Sequence, residues 1–297
     1  MGASAPPAPD REPKAEFKSD PAWDKLLIVV GVVAVVVALL VVPGILNRGG
    51  QNPVAAAAEA TTDSPGVRMT FSGRFNGPLE LTLSGRGAMN GETNRAALRF
   101  SMTGTNLAGT EGMTFDEVID GGDLYMRSPV LGQLFGDPSR WLLLRSEVFG
   151  DLLQANASGA GMSGSPTQQL DALKDASYEV QEVGREQVNG VQTTHYSALL
   201  DIGKLTDQMK SEVSGEFGDA IEHSMEQVMS ATVDVWIDDD GLLRRETSNT
   251  SMGSEGTFAM TIDFSDYGAR PDIQVPPSSQ VFDATSLMQR ALDGLSS

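Results

Sequence analysis

The sequence has no cysteine and few basic residues. Without cysteine, none of the 297 residues can form a disulfide, a cysteine-ligated metal site or a thiol nucleophile. The chain also lacks the cysteine on which bacterial lipoproteins are acylated. Its 21 lysines and arginines face 40 aspartates and glutamates, which gives a net charge of -19. Such a charge repels phosphate backbones, so nucleic-acid binding is not expected.

Signals of catalysis are also scarce. His195 and His223 are the only histidines. Neither occurs with a G-x-S-x-G elbow, an HExxH pair or a triad-like spacing of Ser and Asp. His195 lies in the strand-like segment TTHYS, where we expect a structural role, and His223 falls on the polar side of a predicted helix. The sequence therefore predicts no enzyme, no cofactor and no metal site.

A long apolar run lies near the start of the chain. Leu26 to Leu46 contains no charged residue, and as a helix it would be about 31 Å long, which matches the hydrocarbon core of a bilayer. We predict a single transmembrane helix there; a cleaved signal peptide, with a weak cleavage site in Ala55 to Ala58, is the alternative. Most nearby basic residues precede the run, which favours a cytoplasmic N-terminus: Arg11, Lys14, Lys18 and Lys25 lie before it and Arg48 after it.

Composition divides the rest of the chain into three regions. Residues 1–25 offer little apolar surface and are predicted to be a disordered cytoplasmic tail. Residues 47–66 mix glycine, proline, alanine and small polar residues, as linkers do. Residues 67–297 are predicted to form an extracytoplasmic domain.

Alternation of apolar and polar residues predicts strands in this outer domain. Every second residue is apolar from Ala96 to Met102 and again from Phe258 to Phe264. About ten to eleven such strands can be counted, with no regular exchange of strand and helix, so we predict an α+β fold built on an antiparallel meander. Turn dipeptides separate the strands: Asn90-Gly91, Gly121-Gly122, Asn189-Gly190 and Asp240-Gly241.

Two helices are predicted between the strands. The first, Ser165 to Ser177, has a proline just inside its start. The second lies within Lys204 to Ser230 and carries an apolar residue every fourth position. This stripe is either ordinary core packing or a lid over an apolar ligand; it consists of Leu205, Met209, Val213, Phe217, Ile221, Met225 and Met229.

The acidic stretch WIDDDGLLRRE, Trp236 to Glu246, is predicted to be a hairpin turn. A calcium loop would place Trp236 at its first ligand position, and tryptophan cannot bind calcium. Both flanks alternate as strands, so Asp240-Gly241 is expected at the positive-φ positions of the turn. At least one of Arg244 and Arg245 is expected to offset the aspartates.

Several phrases in consistent order resemble the LolA-like lipoprotein-carrier superfamily, nearest the actinobacterial LppX/LprG type of lipoprotein. They cover roughly residues 67–277 and read GGDLYMRSP, SRWLLL, LDALKDA, VNGVQTTHYSALLDIGKL, VDVWIDDDGLLRRE, MTIDFSDYG and PDIQVPP. The resemblance implies a curved antiparallel half-barrel whose concave face is covered by helices and encloses a cavity for acyl chains. Such proteins are usually anchored by an acylated cysteine; here the helix Leu26 to Leu46 would replace it.

The resemblance implies a membrane-anchored protein of the cell envelope that binds an acyl lipid, a glycolipid or a lipidated protein for transfer or presentation. The alternative is a signalling or scaffold ectodomain that binds an envelope protein partner. Candidate cavity residues on the strands are Leu81, Leu83, Leu98, Phe100, Met102, Phe115, Val233, Val235, Met260 and Ile262. Candidate lid residues on the long helix are Met209, Val213, Phe217 and Ile221.

Overall fold

The computed structural model describes residues 64–78, 80–104, 112–129, 132, 137–145, 177–204, 206–207, 226 and 228–285, together with Ala57 and Ala60. These residues all belong to one compact unit, Val41–Ser297. Among them, no helix combines the length and hydropathy needed to cross a bilayer. The predicted transmembrane helix, Leu26 to Leu46, and the predicted tail, 1–25, lie outside the described residues.

Twelve strands form one sheet in the described part of the chain, one or two more than the alternation predicts. Two single-turn 3-10 helices, Gly253–Glu255 and Ser278–Gln280, lie between the last strands. The strands are β1 Gly66–Asn76, β2 Leu81–Asn90, β3 Arg95–Gly104, β4 Met113–Asp120, β5 Asp123–Arg127, β6 Trp141–Leu144, β7 Ser177–Val188, β8 Val191–Leu200, β9 Ser230–Asp238, β10 Leu243–Ser251, β11 Thr257–Ser265 and β12 Val281–Asp283.

The sheet is open and consists of two meanders that meet at β1. Its strand order is β12-β6-β5-β4-β3-β2-β1-β11-β10-β9-β8-β7. Every neighbouring pair is antiparallel except β12 and β6, which run parallel over three residues. The first meander runs outward from β1 to β6, and the second returns from the far edge at β7 to β11, which pairs with β1. The predicted antiparallel meander is confirmed.

Alternation places apolar side chains on one face of the sheet. On β1, Met69 and Phe71 are buried, whereas Arg68 and Thr70 between them are exposed. β11 repeats the pattern from Met260 onward. Since side chains of a strand point alternately to the two sides, one face is apolar and the other is polar over the middle of the sheet.

Two of the four predicted turn dipeptides have positive φ at both residues. Gly121 and Gly122 have φ of 58° and 93°, and Asn189-Gly190 has 51° and 85°. Both pairs match the two positive φ values of a type I′ turn, whose twist suits flanking strands. After β2 the connection is longer, residues 91–94, and the positive φ falls on Asn94 at 51° rather than on Asn90-Gly91.

The predicted helices are only partly within the described residues. Residues 202–204 and 206–207 are helical, at the start of the predicted long helix. The prediction that Met229 belongs to this helix is wrong, because residues 228–229 are not helical and Ser230 opens β9. Met229, the last residue of the apolar stripe, is 74% exposed. The other predicted helix overlaps the described part only at Ser177, which begins β7.

After β11 the chain crosses the polar face of the first meander. The carbonyl oxygens of Pro271 and Ile273 accept hydrogen bonds from Asn90 and Arg95, at 3.0 and 3.4 Å. Ile273 packs in a small buried cluster with Val118 and with Trp141, Ala97, Tyr125 and Val281. The crossing segment brings β12 to its place beside β6, at the edge of the sheet.

Candidate functional site

The apolar face is the side of the sheet that carries Phe71. Residues directly opposite one another on paired strands share a face, so the registers define its members. One row runs across seven strands from β4 to β9: Phe115, Phe100, Gly85, Phe71, Ile262, Glu246 and Val235. A second row lies beside it: Met113, Met102, Leu83, Gly73, Met260, Ser248 and Val233.

Aromatic rings make the floor of this face continuous across the first meander. The rings of Phe100 and Phe115 stack with centroids 4.9 Å apart, and those of Phe71 and Phe100 lie 6.3 Å apart although β2 runs between their strands. Gly85 makes this approach possible, because a Cβ there would lie 2.5 Å from the Phe71 ring and 2.6 Å from the Phe100 Cβ. A larger residue at this position would separate the two rings.

The predicted strand residues of the site all lie on the apolar face and are all buried. The registers bring together Leu81, Leu83, Leu98, Phe100, Met102, Phe115, Val233, Val235, Met260 and Ile262. Their role in binding a ligand stays a prediction. The predicted lid residues Met209, Val213, Phe217 and Ile221 lie outside the described residues.

Glu117 interrupts the apolar face on β4. Its cross-strand neighbours are Leu98 on β3 and Met126 on β5, and Phe115 precedes it on the same face. Glu117 is 1% exposed, and neither carboxyl oxygen has a hydrogen-bond partner among the described residues. Burial raises the pKa of Glu117 to about 8, because an apolar environment disfavours the charged form.

Glu246 is a second carboxyl group on the same face, in the other meander. It lies on β10 between Val235 of β9 and Ile262 of β11. It is 2% exposed, and its Oε2 atom has no hydrogen-bond partner in the described part of the chain. Burial again raises the pKa to about 8. The apolar face therefore holds two carboxyl groups whose neutral forms are favoured near pH 7.

On the opposite face of the sheet, Asp116 has arginine partners. Asp116, next to Glu117, accepts hydrogen bonds from Arg99 Nε at 2.5 Å and Arg127 Nη2 at 2.7 Å. Burial alone would raise the pKa of Asp116, but the hydrogen bonds and charges of the two arginines together lower it. The two arginines thus favour the ionised form of Asp116.

His195 links three strands on the opposite face. Its Nε2 atom lies 3.0 Å from Asp234 Oδ1 and its Nδ1 atom 3.2 Å from Glu186 Oε1. The imidazole stacks on Trp236 with centroids 4.3 Å apart, and Trp236 Nε1 donates to the same Glu186 oxygen at 2.6 Å. Both ring nitrogens thus contact carboxylates of the flanking strands, an arrangement that ties β7, β8 and β9 together.

The acidic turn Trp236 to Glu246 is a structural hairpin connection. Asp238 Oδ1 accepts the backbone N–H of Asp240 at 3.0 Å and of Leu242 at 2.9 Å, and its Oδ2 accepts Arg244 Nε at 2.5 Å. Arg244 thus offsets the aspartates as predicted. Gly241 has φ of 79°, whereas Asp240 does not share the positive φ that was predicted for it.

Sequence reasoning missed the polar groups on the apolar face. Glu117 follows Met113 and Phe115 at intervals of two, so the alternation itself places it on the apolar side. Ser128, the residue after β5, is 1% exposed, and its Oγ has no partner among the described residues. The spacing of two residues was visible in the sequence, but it indicates a buried carboxyl group only once the apolar side of the strand is known to be buried.

One curated relative matches part of the sequence. It is an uncharacterized 31.2 kDa protein of Streptomyces griseus, encoded in the rplA-rplJ intergenic region, and it is 33% identical over 129 residues. The match covers 42% of this chain and 41% of that protein. The chain thus spans about two fifths of the length of the curated relative that it matches. No protein-family model matches the chain.

Solved structures of two mycobacterial proteins are similar to the chain. The lipoprotein LppX of Mycobacterium tuberculosis is 15% identical, with a TM-score of 0.41, over 79% of this chain and 99% of LppX. LprF of Mycobacterium bovis is 13% identical, with a TM-score of 0.42, over 79% of this chain and 95% of LprF. The first is a lipoprotein of the type that the sequence phrases resemble. The sequence phrases resemble the LppX type, and LppX is among the structural neighbours of the chain.

Proposed function

We propose that this protein is a membrane-anchored lipid- or lipoprotein-binding protein of the cell envelope, whose apolar sheet face holds acyl chains. In this proposal the sheet curves into a half-barrel with the apolar face inside, and the helix with Met209, Val213, Phe217 and Ile221 covers it. Leu26 to Leu46 anchors the chain in the membrane, with the binding domain outside the cytoplasm. The acyl chains belong to a lipid, a glycolipid or a lipidated protein.

The observation that carries the proposal is the extent of the apolar face. Rows of inward residues, most of them apolar and buried, continue from β4 across β1 to β9, a width of about 29 Å at the usual spacing of about 4.8 Å between strands. Each methylene moved from water onto such a surface contributes about 0.8 kcal/mol. A long acyl chain therefore binds there with high affinity and needs no polar contact.

The buried carboxyl groups support a ligand site over a solid core. An unpartnered polar group in a dry core costs about 1 to 3 kcal/mol, so cores retain few of them. Glu117 and Glu246 both lie on the apolar face without partners for three of their oxygens among the described residues. Ionisable side chains with strongly shifted pKa values concentrate at functional sites.

The proposal is tested by the lipid that purifies with the full chain. We expect extraction and mass spectrometry to find acyl lipid at about one molecule per chain. Replacing Phe217 and Ile221 together with aspartate should lower that lipid at least tenfold, because charged side chains on the cover oppose burial of an acyl chain.

Glu216 and Glu222, which the sequence places on the polar side of the same helix, provide the matched control. Replacing both with lysine should leave the lipid content unchanged. Circular dichroism checks that the strands of each variant are folded. Undiminished lipid in a folded aspartate variant contradicts the cover, and a parent chain that carries no lipid favours an ectodomain that binds a protein partner.

A further inference from the structure

Glu117 and Ser128 lie close together on the apolar face. Glu117 pairs with Met126 across β4 and β5, and Ser128 is two residues beyond Met126. Arg127, the last residue of β5, reaches Asp116 on the opposite face, and Ser128 directly follows the strand, where continued alternation would place its side chain on the side of Met126. Such diagonal positions on neighbouring strands are about 7 to 8 Å apart.

Both side chains lack the hydrogen bonds that buried polar groups normally have. Both Glu117 oxygens and Ser128 Oγ are buried, and none has a partner among the described residues, so the two side chains do not bond to each other. The Ser128 backbone is fixed, since its carbonyl oxygen accepts the Gly132 N–H at 2.9 Å. Three buried oxygen atoms near the paired ends of β4 and β5 thus have their hydrogen-bonding capacity unused.

The spacing and chemistry of Glu117 and Ser128 determine which ligand group fits between them. Hydrogen bonds between oxygens are about 2.7 to 2.8 Å long, so a single oxygen placed between the two side chains reaches both. A protonated carboxyl and a serine hydroxyl can each donate one hydrogen and accept others, and a hydroxyl group of the guest does the same. One hydroxyl is therefore complementary to both residues.

Charged guests fit less well. A phosphate would meet a carboxyl group, while Arg99 and Arg127, the cations nearest along the paired strands, are bonded to Asp116 on the other face. An ammonium group would require a buried ion pair, and the desolvation of two charges offsets most of its attraction. A neutral hydroxyl avoids both penalties.

We propose that Glu117 and Ser128 form a polar subsite that binds a hydroxyl group of the lipid held on the apolar face. The subsite rests on the proposed function, since it needs an acyl ligand on that face. It adds selection: among lipids with the same acyl chains, those with a free hydroxyl bind more tightly.

The test offers the full chain two lipids that differ only in this group. Native mass spectrometry of the detergent-solubilised chain measures binding from an equimolar mixture of dipalmitoylglycerol, which has one free hydroxyl, and its acetate ester, which has none. The parent should prefer dipalmitoylglycerol about fivefold, the ratio that one net hydrogen bond supplies. The double variant Glu117→Met with Ser128→Ala should bind both lipids equally while binding the ester as well as the parent does.

Asp116→Asn is the matched control, because it changes the neighbouring carboxylate on the opposite face and should keep the fivefold preference. Ser128→Ala alone removes a single hydroxyl and should lower the preference about twofold. This single variant tests the subsite if the double variant does not fold. A parent that binds both lipids equally overturns the subsite and leaves the proposed function standing, as does a folded double variant that keeps the preference. A parent that binds neither lipid overturns the proposed function itself.

Discussion

Asp116 and Glu117 are consecutive residues of β4, and their carboxyl groups lie on the two faces of the sheet. Asp116, on the polar face, is bonded to Arg99 and Arg127, which hold its pKa low despite partial burial. Glu117, on the apolar face, has no partner among the described residues, and its pKa is raised to about 8. Two side chains of similar chemistry therefore favour opposite charge states near pH 7.

The second meander repeats this division on β10. Arg245 points to the polar face and pairs with Asp263 at 2.7 Å, whereas Glu246, the next residue, is buried among apolar neighbours. The polar face provides an arginine for the carboxylates beside it, and the apolar face provides none for either glutamate in the described part of the chain. Leaving a buried carboxyl group unpaired reduces stability. Such a group occurs once in each meander, and the ligand site proposed above would account for both.

The largest difference between the faces is in packing. Replacing Phe100, which is 2% exposed, with alanine should lower the free energy of unfolding by about 3 to 5 kcal/mol, because the contacts to Phe71 and Phe115 are lost and a cavity remains. Ser101→Ala, one residue further and on the other face, should change it by about 0.5 kcal/mol or less, since the contacts of Ser101 Oγ to the Ser84 Oγ and carbonyl oxygen are long, at 3.4 and 3.5 Å, and exposed.

Denaturant unfolding followed by tryptophan fluorescence measures both changes. Phe100 and Ser101 are neighbours on one strand, so the two variants compare the two faces at the same place in the sheet. Equal losses of stability in the two variants would contradict the assignment of the apolar face as the packed side of the sheet.

The strands and most turns of this fold were predictable because their signals are local. A period of two along Ala96 to Met102 fixes which side chains share a face, and Asn189-Gly190 fixes a type I′ turn, whatever lies elsewhere in the chain. The parallel pairing of β12 with β6 was not predictable. It involves three residues of each strand, separated by more than a hundred positions, and depends on the segment that crosses the polar face.

The candidate site was predictable in its apolar part only. Large apolar residues at alternate positions are predicted to be buried. Glu117 and Glu246 are polar residues at such positions, and in sequence they resemble the many surface carboxylates of an acidic chain. Their burial depends on the neighbouring strands and on what covers them. Met229 shows the converse: it continues a regular four-residue spacing, yet the chain has already left the helix and the side chain is exposed.

A smaller but more specific difference concerns pH. The pKa of Glu117 is raised to about 8 in the folded protein from an ordinary value near 4.5, so the folded state keeps a proton that the unfolded state loses between these values. The contribution of this proton to the free energy of unfolding is therefore fully present below about pH 4.5. It falls as pH rises to about 8, by up to about 1.4 kcal/mol per pH unit. Glutamine stays neutral, so Glu117→Gln should remove the part of this decrease in unfolding free energy that comes from Glu117. The part that comes from Glu246 should remain.

Unfolding free energies at pH 5, 6.5 and 8 reveal the change as a shallower slope. The variant should be close to the parent at pH 5 and more stable at pH 8. Parallel curves for variant and parent would show that Glu117 gains no proton on folding.

The smallest expected effect has the opposite sign and belongs to Asp116. Its lowered pKa means that its contribution is present above the ordinary value of about 3.8 and is lost as pH falls through the folded-state value. Asp116→Asn should cost about 1 kcal/mol near pH 7, a modest figure because Arg99 is 57% exposed and solvent screens the pair. The difference from the parent should shrink as pH falls below about 3.8 and through the lowered folded-state pKa, where the parent carboxylate becomes protonated as well. Asp266→Asn, which affects a more exposed pair with Arg68, is the reference and should change stability by less than about 0.5 kcal/mol. If the two variants lose the same amount, the arginines around Asp116 contribute no more than a surface ion pair, and the contrast between the faces reduces to the burial of Glu117 alone.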